Sequence, residues 1–232
     1  MKGIYVVSSC LRPSAGRDLF RRAILPPGII VSLLLSAAMS SKHPIARAQA
    51  TVPGTAPLVH FPADQAAHPN THNEWWYVVG HLRSRSHTFG YEVTLFKFLD
   101  VRPPGFSSAV SVYRTDIAIT DETSKRFHQK VTYYFPQSAT LSASSLNARV
   151  GNASLVASGP NDMDLHAAFS KMSITLHLHT SRPPMYVGGR GYINYGTQYT
   201  YYYSLTDLKS RGTIKVNGKP IAVSGVSWLD HQ

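Results

Sequence analysis

The chain has 232 residues, 43% of them hydrophobic and only 15% charged, with 16 glycines and 15 prolines in no repeating pattern. That length suits one large or two small domains, and the composition excludes disordered, collagen-like and low-complexity chains. The formal charge is +11, from 23 Lys and Arg against 12 Asp and Glu, while the lone Cys10 excludes an intramolecular disulfide, a Cys-ligated zinc and an iron–sulfur cluster.

Residues 1–50 read as a leader. Lys2, Arg12, Arg17, Arg21, Arg22, Lys42 and Arg47 face only Asp18 there, a net of +6. An apolar run follows Arg22 and is broken by Pro26-Pro27-Gly28, so only 12 uninterrupted residues, Gly28 to Met39, remain. About 20 are needed to span a bilayer. Ala46-Arg47-Ala48 is a small-x-small exit. A basic start, a short apolar core and a small-residue exit together predict an export signal. Phe20-Arg21-Arg22-Ala23 also fits a twin-arginine signal, so Sec and twin-arginine routes both stay open. The expected location is periplasmic or extracellular. Residues 51–232 keep 16 basic and 11 acidic residues, a net of +5 scattered among strand ends and turns. That is an ordinary solvated surface, and no nucleic-acid partner is expected.

Residues 51–73 are an extended lead-in marked by Pro53, Pro57, Pro62 and Pro69. From Glu74 onward the apolar period is two, with turn residues at short intervals. Strands are expected over 75–82, 88–98, 108–120, 126–135, 155–158, 165–169, 173–180, 197–208, 212–216 and 221–228. Phe89, Tyr91, Val93 and Leu95 alternate and share a face, while Phe96 on the other face signals a bulge or a second buried face. Tyr199, Tyr201 and Tyr203 share a face in the same way. Asn217-Gly218 is a two-residue hairpin signal, because both residues tolerate positive φ. No segment has a 3.6-residue apolar period, so residues 74–232 are expected to form one all-β antiparallel sandwich or barrel. Gly188-Gly189-Arg190-Gly191 lacks the lysine and helix of a phosphate loop, and no G-x-S-x-G elbow is present.

Two clusters can carry chemistry. His68, His72 and Glu74 precede Trp75, Trp76 and Tyr77, a set suited to acid–base work or to a metal. The simpler reading makes Glu74 a buried hydrogen-bond anchor. The second cluster is Trp228-Leu229-Asp230-His231 at the end of the chain. In a strand Trp228 and Asp230 face one side and His231 the other, and Asp230 becomes a proton donor if burial raises its pKa. His177 and His179 form an H-x-H pair, but two ligands are too few for a metal and no third is identifiable. A surface strand explains them. No metal site and no cofactor are expected.

Glu74-Trp75-Trp76-Tyr77, then Phe89-Gly90-Tyr91-Glu92-Val93-Thr94-Leu95-Phe96-Lys97, resembles the opening of the AttH and carotenoid 1,2-hydratase (CrtC-type) family. Tyr201-Tyr202-Tyr203-Ser204-Leu205-Thr206 and Gly225-Val226-Ser227-Trp228-Leu229-Asp230-His231-Gln232 are similar to its later segments. The resemblance implies a lipocalin-like, or calycin, barrel. Full members carry two such barrels, so the chain is expected to hold the first, incomplete at its C-terminal end, with an exposed edge. Family members bind or transform long apolar molecules. The hydratase branch adds water to a terminal double bond of an acyclic carotenoid, without a redox cofactor. Its favoured acid maps onto Asp230, with Trp228 placed to stabilise a carbocation and His231 to orient, and Glu74 in support. That branch carries Tyr where this chain has Trp228.

The resulting expectation is an exported lipocalin-like protein that binds a lipid, isoprenoid or polyene in a barrel cavity. The alternative is a hydro-lyase with Asp230 as proton donor. Candidate ligand contacts are Trp75, Trp76, Tyr77, Tyr91, Phe96, Tyr201, Tyr203 and Trp228. The resemblance to AttH-type members also implies an envelope or ABC-export partner.

Overall fold

Alternation of apolar and polar residues builds almost everything in this chain. The computed structural model describes residues 58–196 and 199–232, together with the backbone of residues 6–7. The rest of the expected leader, with Cys10 and the Arg21-Arg22 pair, lies outside the described residues. The strands are β1 (Val6–Val7), β2 (Asn73–Arg83), β3 (Thr88–Val101), β4 (Val110–Asp121), β5 (Arg126–Tyr134), β6 (Ala139–Leu141), β7 (Asn147–Val150), β8 (Ala153–Ala157), β9 (Asp162–Phe169), β10 (Met172–His179), β11 (Met185–Tyr186), β12 (Tyr192–Asn194), β13 (Tyr199–Tyr201), β14 (Tyr203–Val216) and β15 (Lys219–His231). Short 3₁₀ turns are the only helical elements among the described residues.

Every pairing is antiparallel. The strand order is β5-β4-β3-β2-β15-β14-β10-β9-β8-β7-β6, with β1 beyond β5 and β11 on β14. Two meanders, β2 to β5 and β6 to β10, are joined by the long hairpin β14–β15. The last strand lies beside the first long one, with Leu229 opposite Val78 and His231 opposite Trp76. The sheet rolls until β3 and β4 touch β7, β8 and β9. No ladder joins β5 to β6 among the described residues, so the barrel is nearly closed.

The expected faces hold. Phe89, Val93 and Leu95 have no exposure and Tyr91 has 3%. They meet Val78, Leu82, Ile119, Leu155, Leu165, Ile174 and Leu178 from around the roll, all likewise at 0%. A side chain with no accessible area touches no water-sized void, so protein atoms fill the barrel at these positions. Tyr91 reaches Ser227 through a hydrogen bond of 2.6 Å, and Ser227 lies 2.6 Å from Ser210 Oγ. Gly80 makes room for this chain, because a Cβ there would lie 2.5 Å from Ser227 Oγ. On the outer face Phe96 is half-buried and Phe98 is buried, and the β3–β4 register shifts between Phe98 and Val101. Both readings of Phe96, a bulge and a second buried face, are therefore realised.

Some expected boundaries differ. The stretch 197–208 is not one strand. Tyr199–Tyr201 pairs with Tyr192–Asn194 in a separate two-stranded sheet, and a new strand starts at Tyr203. The three tyrosines therefore part company: Tyr199 is 63% exposed, Tyr201 is half-buried and Tyr203 is buried. Gly212 does not begin a strand but lies inside β14, where a Cβ would come within 2.0 Å of Thr175 O. Its missing side chain lets β10 and β14 approach. The predicted hairpin is present at Asn217 and Gly218, with φ of 52° and 81°.

Candidate functional site

The start of β2 and the end of β15 lie side by side, and their alternation sorts the candidate residues onto two faces. Glu74 and Trp76 point inward and Trp75 and Tyr77 outward. His231 points inward, while Trp228 and Asp230 point outward.

The inner face carries a buried polar network. Glu74 is 1% exposed, and its Oε1 lies 2.7 Å from His68 Nδ1 and 3.0 Å from His231 Nε2. Its Oε2 takes the Lys97 ammonium at 2.6 Å. The His68 backbone N–H donates to the same carboxylate at 3.0 Å. Lys97 also donates to His68 O and to Thr71 Oγ1. His68 Nε2 reaches Asp64 at 3.3 Å, and His231 Nδ1 meets the Tyr203 hydroxyl at 3.2 Å. Trp76 stacks on the His231 ring, with centroids 4.6 Å apart, and Tyr203 meets it edge-on at 5.3 Å.

The pKa shifts follow from these contacts. Burial would raise Glu74, but hydrogen bonds from His231, His68 and Lys97 hold it well below the usual carboxylate range. His68 is raised by its hydrogen bond to Glu74, against burial, with help from Asp64. Burial lowers His231, although Glu74 pulls the other way. Burial raises Tyr203. Glu74 takes the Lys97 ammonium and the His68 backbone N–H, and His231 can donate to Glu74 through Nε2 while accepting from the Tyr203 hydroxyl through Nδ1.

His68, Glu74 and His231 offer ligand atoms within 4.8 Å of one another, enough to hold a metal ion. An ion there would displace the two imidazole protons now spent on Glu74 and would face the Lys97 ammonium. The donor set therefore fits the hydrogen-bonded network better than a cation.

The outer face is different. Asp230 is half-buried, and its Oδ1 accepts from Ser204 Oγ and from Trp228 Nε1 at 2.6 Å. Tyr202 lies within hydrogen-bonding reach of Asp230 and Ser204, and burial beside that carboxylate pushes its phenol up to about 12. Tyr77 stands opposite Asp230 on β2, its phenol raised by burial and by Glu92 and Asp230. Trp228 is 36% exposed and lies opposite Val79. Trp75 packs on Phe96 at 6.3 Å, and the Arg114 guanidinium covers Phe96 at 4.2 Å.

Of the expected residues, Glu74, Trp76, Tyr91, Tyr203 and His231 lie inside and Trp75, Tyr77, Phe96, Trp228 and Asp230 outside. Tyr201 lies near His68, with ring centroids 6.4 Å apart. His68 joins Glu74, but His72 instead lies 3.3 Å from Asp100 at the surface. Lys97, Thr71 and Asp64 escaped the sequence reading. Lys97 had a signal: it continues the inward parity of Phe89 to Leu95 and stands opposite Glu74 in the β2–β3 ladder. His177 and His179 lie on the outer face of β10, and Asp162 supplies a third polar partner, at 3.1 Å from His177 and 2.8 Å from His179.

The family model for AttH-like proteins matches residues 52–232. The chain belongs to the AttH-like family. Among solved structures, this AttH-like chain is similar to an AttH from Nitrosomonas europaea, with 24% identity and a TM-score of 0.67 over 78% of this chain and 56% of that one. It is also similar to kievitone hydratase from Nectria haematococca, with 16% identity and a TM-score of 0.56 over 75% of this chain and 51% of that one. The chain thus spans about half the length of these two proteins. At these identities the likeness shows the fold, a lipocalin-like all-β barrel. No curated protein matches the chain.

Proposed function

We propose that this AttH-like barrel binds an apolar, unsaturated small molecule against the outer aromatic face of β14, β15 and β2. The observation that carries this reading is Trp228, exposed beside a half-buried carboxylate and flanked by Tyr77 and Tyr202. The expected place for such a ligand was a barrel cavity. The filled positions inside the roll favour the outer face instead. A lipid, isoprenoid or polyene fits its chemistry. Mass spectrometry of the purified chain tests the reading: a co-purified apolar molecule that Trp228→Ala loses supports it, and retention by that variant removes it.

A second reading, hydration of the bound alkene, is favoured by the setting of Asp230 and by the fold likeness to a hydratase. Ser204 and Trp228 both donate to Asp230 Oδ1, which leaves Oδ2 as the oxygen from which a proton would be passed. That proton would pass to the terminal alkene carbon, water would capture the cation, and the proton that water releases would return to Asp230. Trp228 would face the cation. Incorporation of oxygen from labelled water, abolished in Asp230→Asn with binding intact, is the expected result. Export by the leader, and an envelope or ABC-export partner, belong to the same proposal and rest on the charge pattern of residues 1–50 and on the family.

A further inference from the structure

Ser224 of β15 stands directly between Arg211 of β14 and Arg83 of β2. Cross-strand partners share a face, so both guanidiniums rise on the outer side about 10 Å apart at their backbones. Neither has an ion-pair partner among the described residues. The next rung is Lys209, Val226 and His81, and the one after it sets Trp228 beside Val79. Val226 is 44% exposed. A groove of about 530 Å³ lies at the basic end, lined by Asp162, His177, His179, Lys209, Arg211 and Val226 around Ser224. Its other charges are already engaged: Asp162 by His177 and His179, and Lys209 by Asp207, which also holds Arg182. The positive charge left over is that of Arg211 and Arg83.

We infer that the ligand is an amphiphile, its anionic head held by Arg211 and Arg83 over Ser224 and its apolar chain running over Val226 and Trp228 to Asp230. The inference rests on the outer-face reading above and adds the head group and the length. Ser224 and Asp230 are six residues apart on one strand, so head and tail sites lie about 20 Å apart. That span matches roughly sixteen carbons of extended chain. Guanidinium pairs suit carboxylate and phosphate alike. The class is therefore a long-chain carboxylate or an isoprenyl phosphate, and a neutral hydrocarbon would use only half of the track.

Calorimetric titration of the whole chain with oleate, decanoate, farnesyl phosphate and squalene tests this. Oleate or farnesyl phosphate is expected to weaken roughly tenfold in Arg83→Ala/Arg211→Ala, and to recover partly in the double Lys variant. Squalene is expected to bind the variant as it binds the parent. Oleate should quench Trp228 fluorescence, a signal absent from Trp228→Phe, and decanoate should not. Unchanged affinity for both anionic probes in the Arg variant overturns the head-group site while leaving the outer-face reading intact. An equal loss for squalene overturns it as well, since the arginines would then act on the fold. If none of the four probes binds the parent chain, the outer-face reading fails and this inference falls with it.

Discussion

Asp230 and His231 are consecutive residues with opposite surroundings. His231 is 3% exposed, ringed by Trp76 and Tyr203, and tied into a buried hydrogen-bonded network through Glu74. Asp230 is half-buried among an indole, a hydroxyl and phenols. On the inner side the polar groups around Glu74 and His231 are tied to one another by hydrogen bonds. The outer side has aromatic surface left over. One strand end thus combines a rigid anchor with an open aromatic face, and the lesson is that the conspicuous Glu and His of the motifs hold in place the strand that presents Asp230.

The comparison breaks most visibly at Glu74. Glu74→Ala leaves Lys97 buried without its counter-charge, and a loss of about 3–5 kcal/mol is expected in urea unfolding. A loss below about 1 kcal/mol would mean that the network does not anchor the fold. Trp76→Ala removes the ring stacked on His231 and should cost about 3–5 kcal/mol by the same measurement. Asp230→Asn keeps the size and the two accepted hydrogen bonds. It should change stability by less than about 1 kcal/mol while lowering any alkene hydration by about 10²-fold or more.

Stability against pH is expected to be a dome shaped by the inner network. Glu74 is depressed, so its contribution is present above the ordinary value of 4.5 and fades as pH falls toward the folded value. His231 is also depressed, so stability declines from pH 6.5 downward as the unfolded chain takes up a proton that the fold refuses. His68 is raised, so its contribution is full below 6.5 and is lost as pH rises through the folded value. His68→Gln should flatten the alkaline limb and leave the acid limb in place, as thermal melts across pH would show. The smallest effect is expected at Phe127, 60% exposed on β5. Phe127→Ser should stay within about 0.5 kcal/mol.

Much of the barrel was legible in the sequence because a half-buried strand writes its period in side chains. Phe89 to Leu95, the Asn217-Gly218 turn and the opposed faces of Trp228 and His231 could all be read directly. Strands β6 and β7 could not: three or four residues in a serine-rich stretch carry too little pattern. The site was half legible. Glu74 and Asp230 stood out beside their tryptophans. Asp64, His68 and Thr71 join Glu74 through a loop folded back over the strand end, which no periodicity encodes. Lys97 was readable only after pairing β2 with β3 and counting back from Arg83 opposite Thr88.

The turn at Asn217 and Gly218 sets the phase of everything after it. Its two residues bring Lys219 opposite Val216, and the ladder runs in that register to Ser227 opposite Leu208. One extra residue on β14 between Leu205 and Leu208 then shifts it, so that Asp230 meets Ser204, while along β15 itself the alternation continues unbroken. Because side chains alternate with a period of two, adding a single residue between the turn and Trp228 would exchange the inside for the outside. The carboxylate would be pushed into the network and the imidazole turned out to the aromatic face. The length of this hairpin is therefore under tighter constraint than the chemistry of most residues within it.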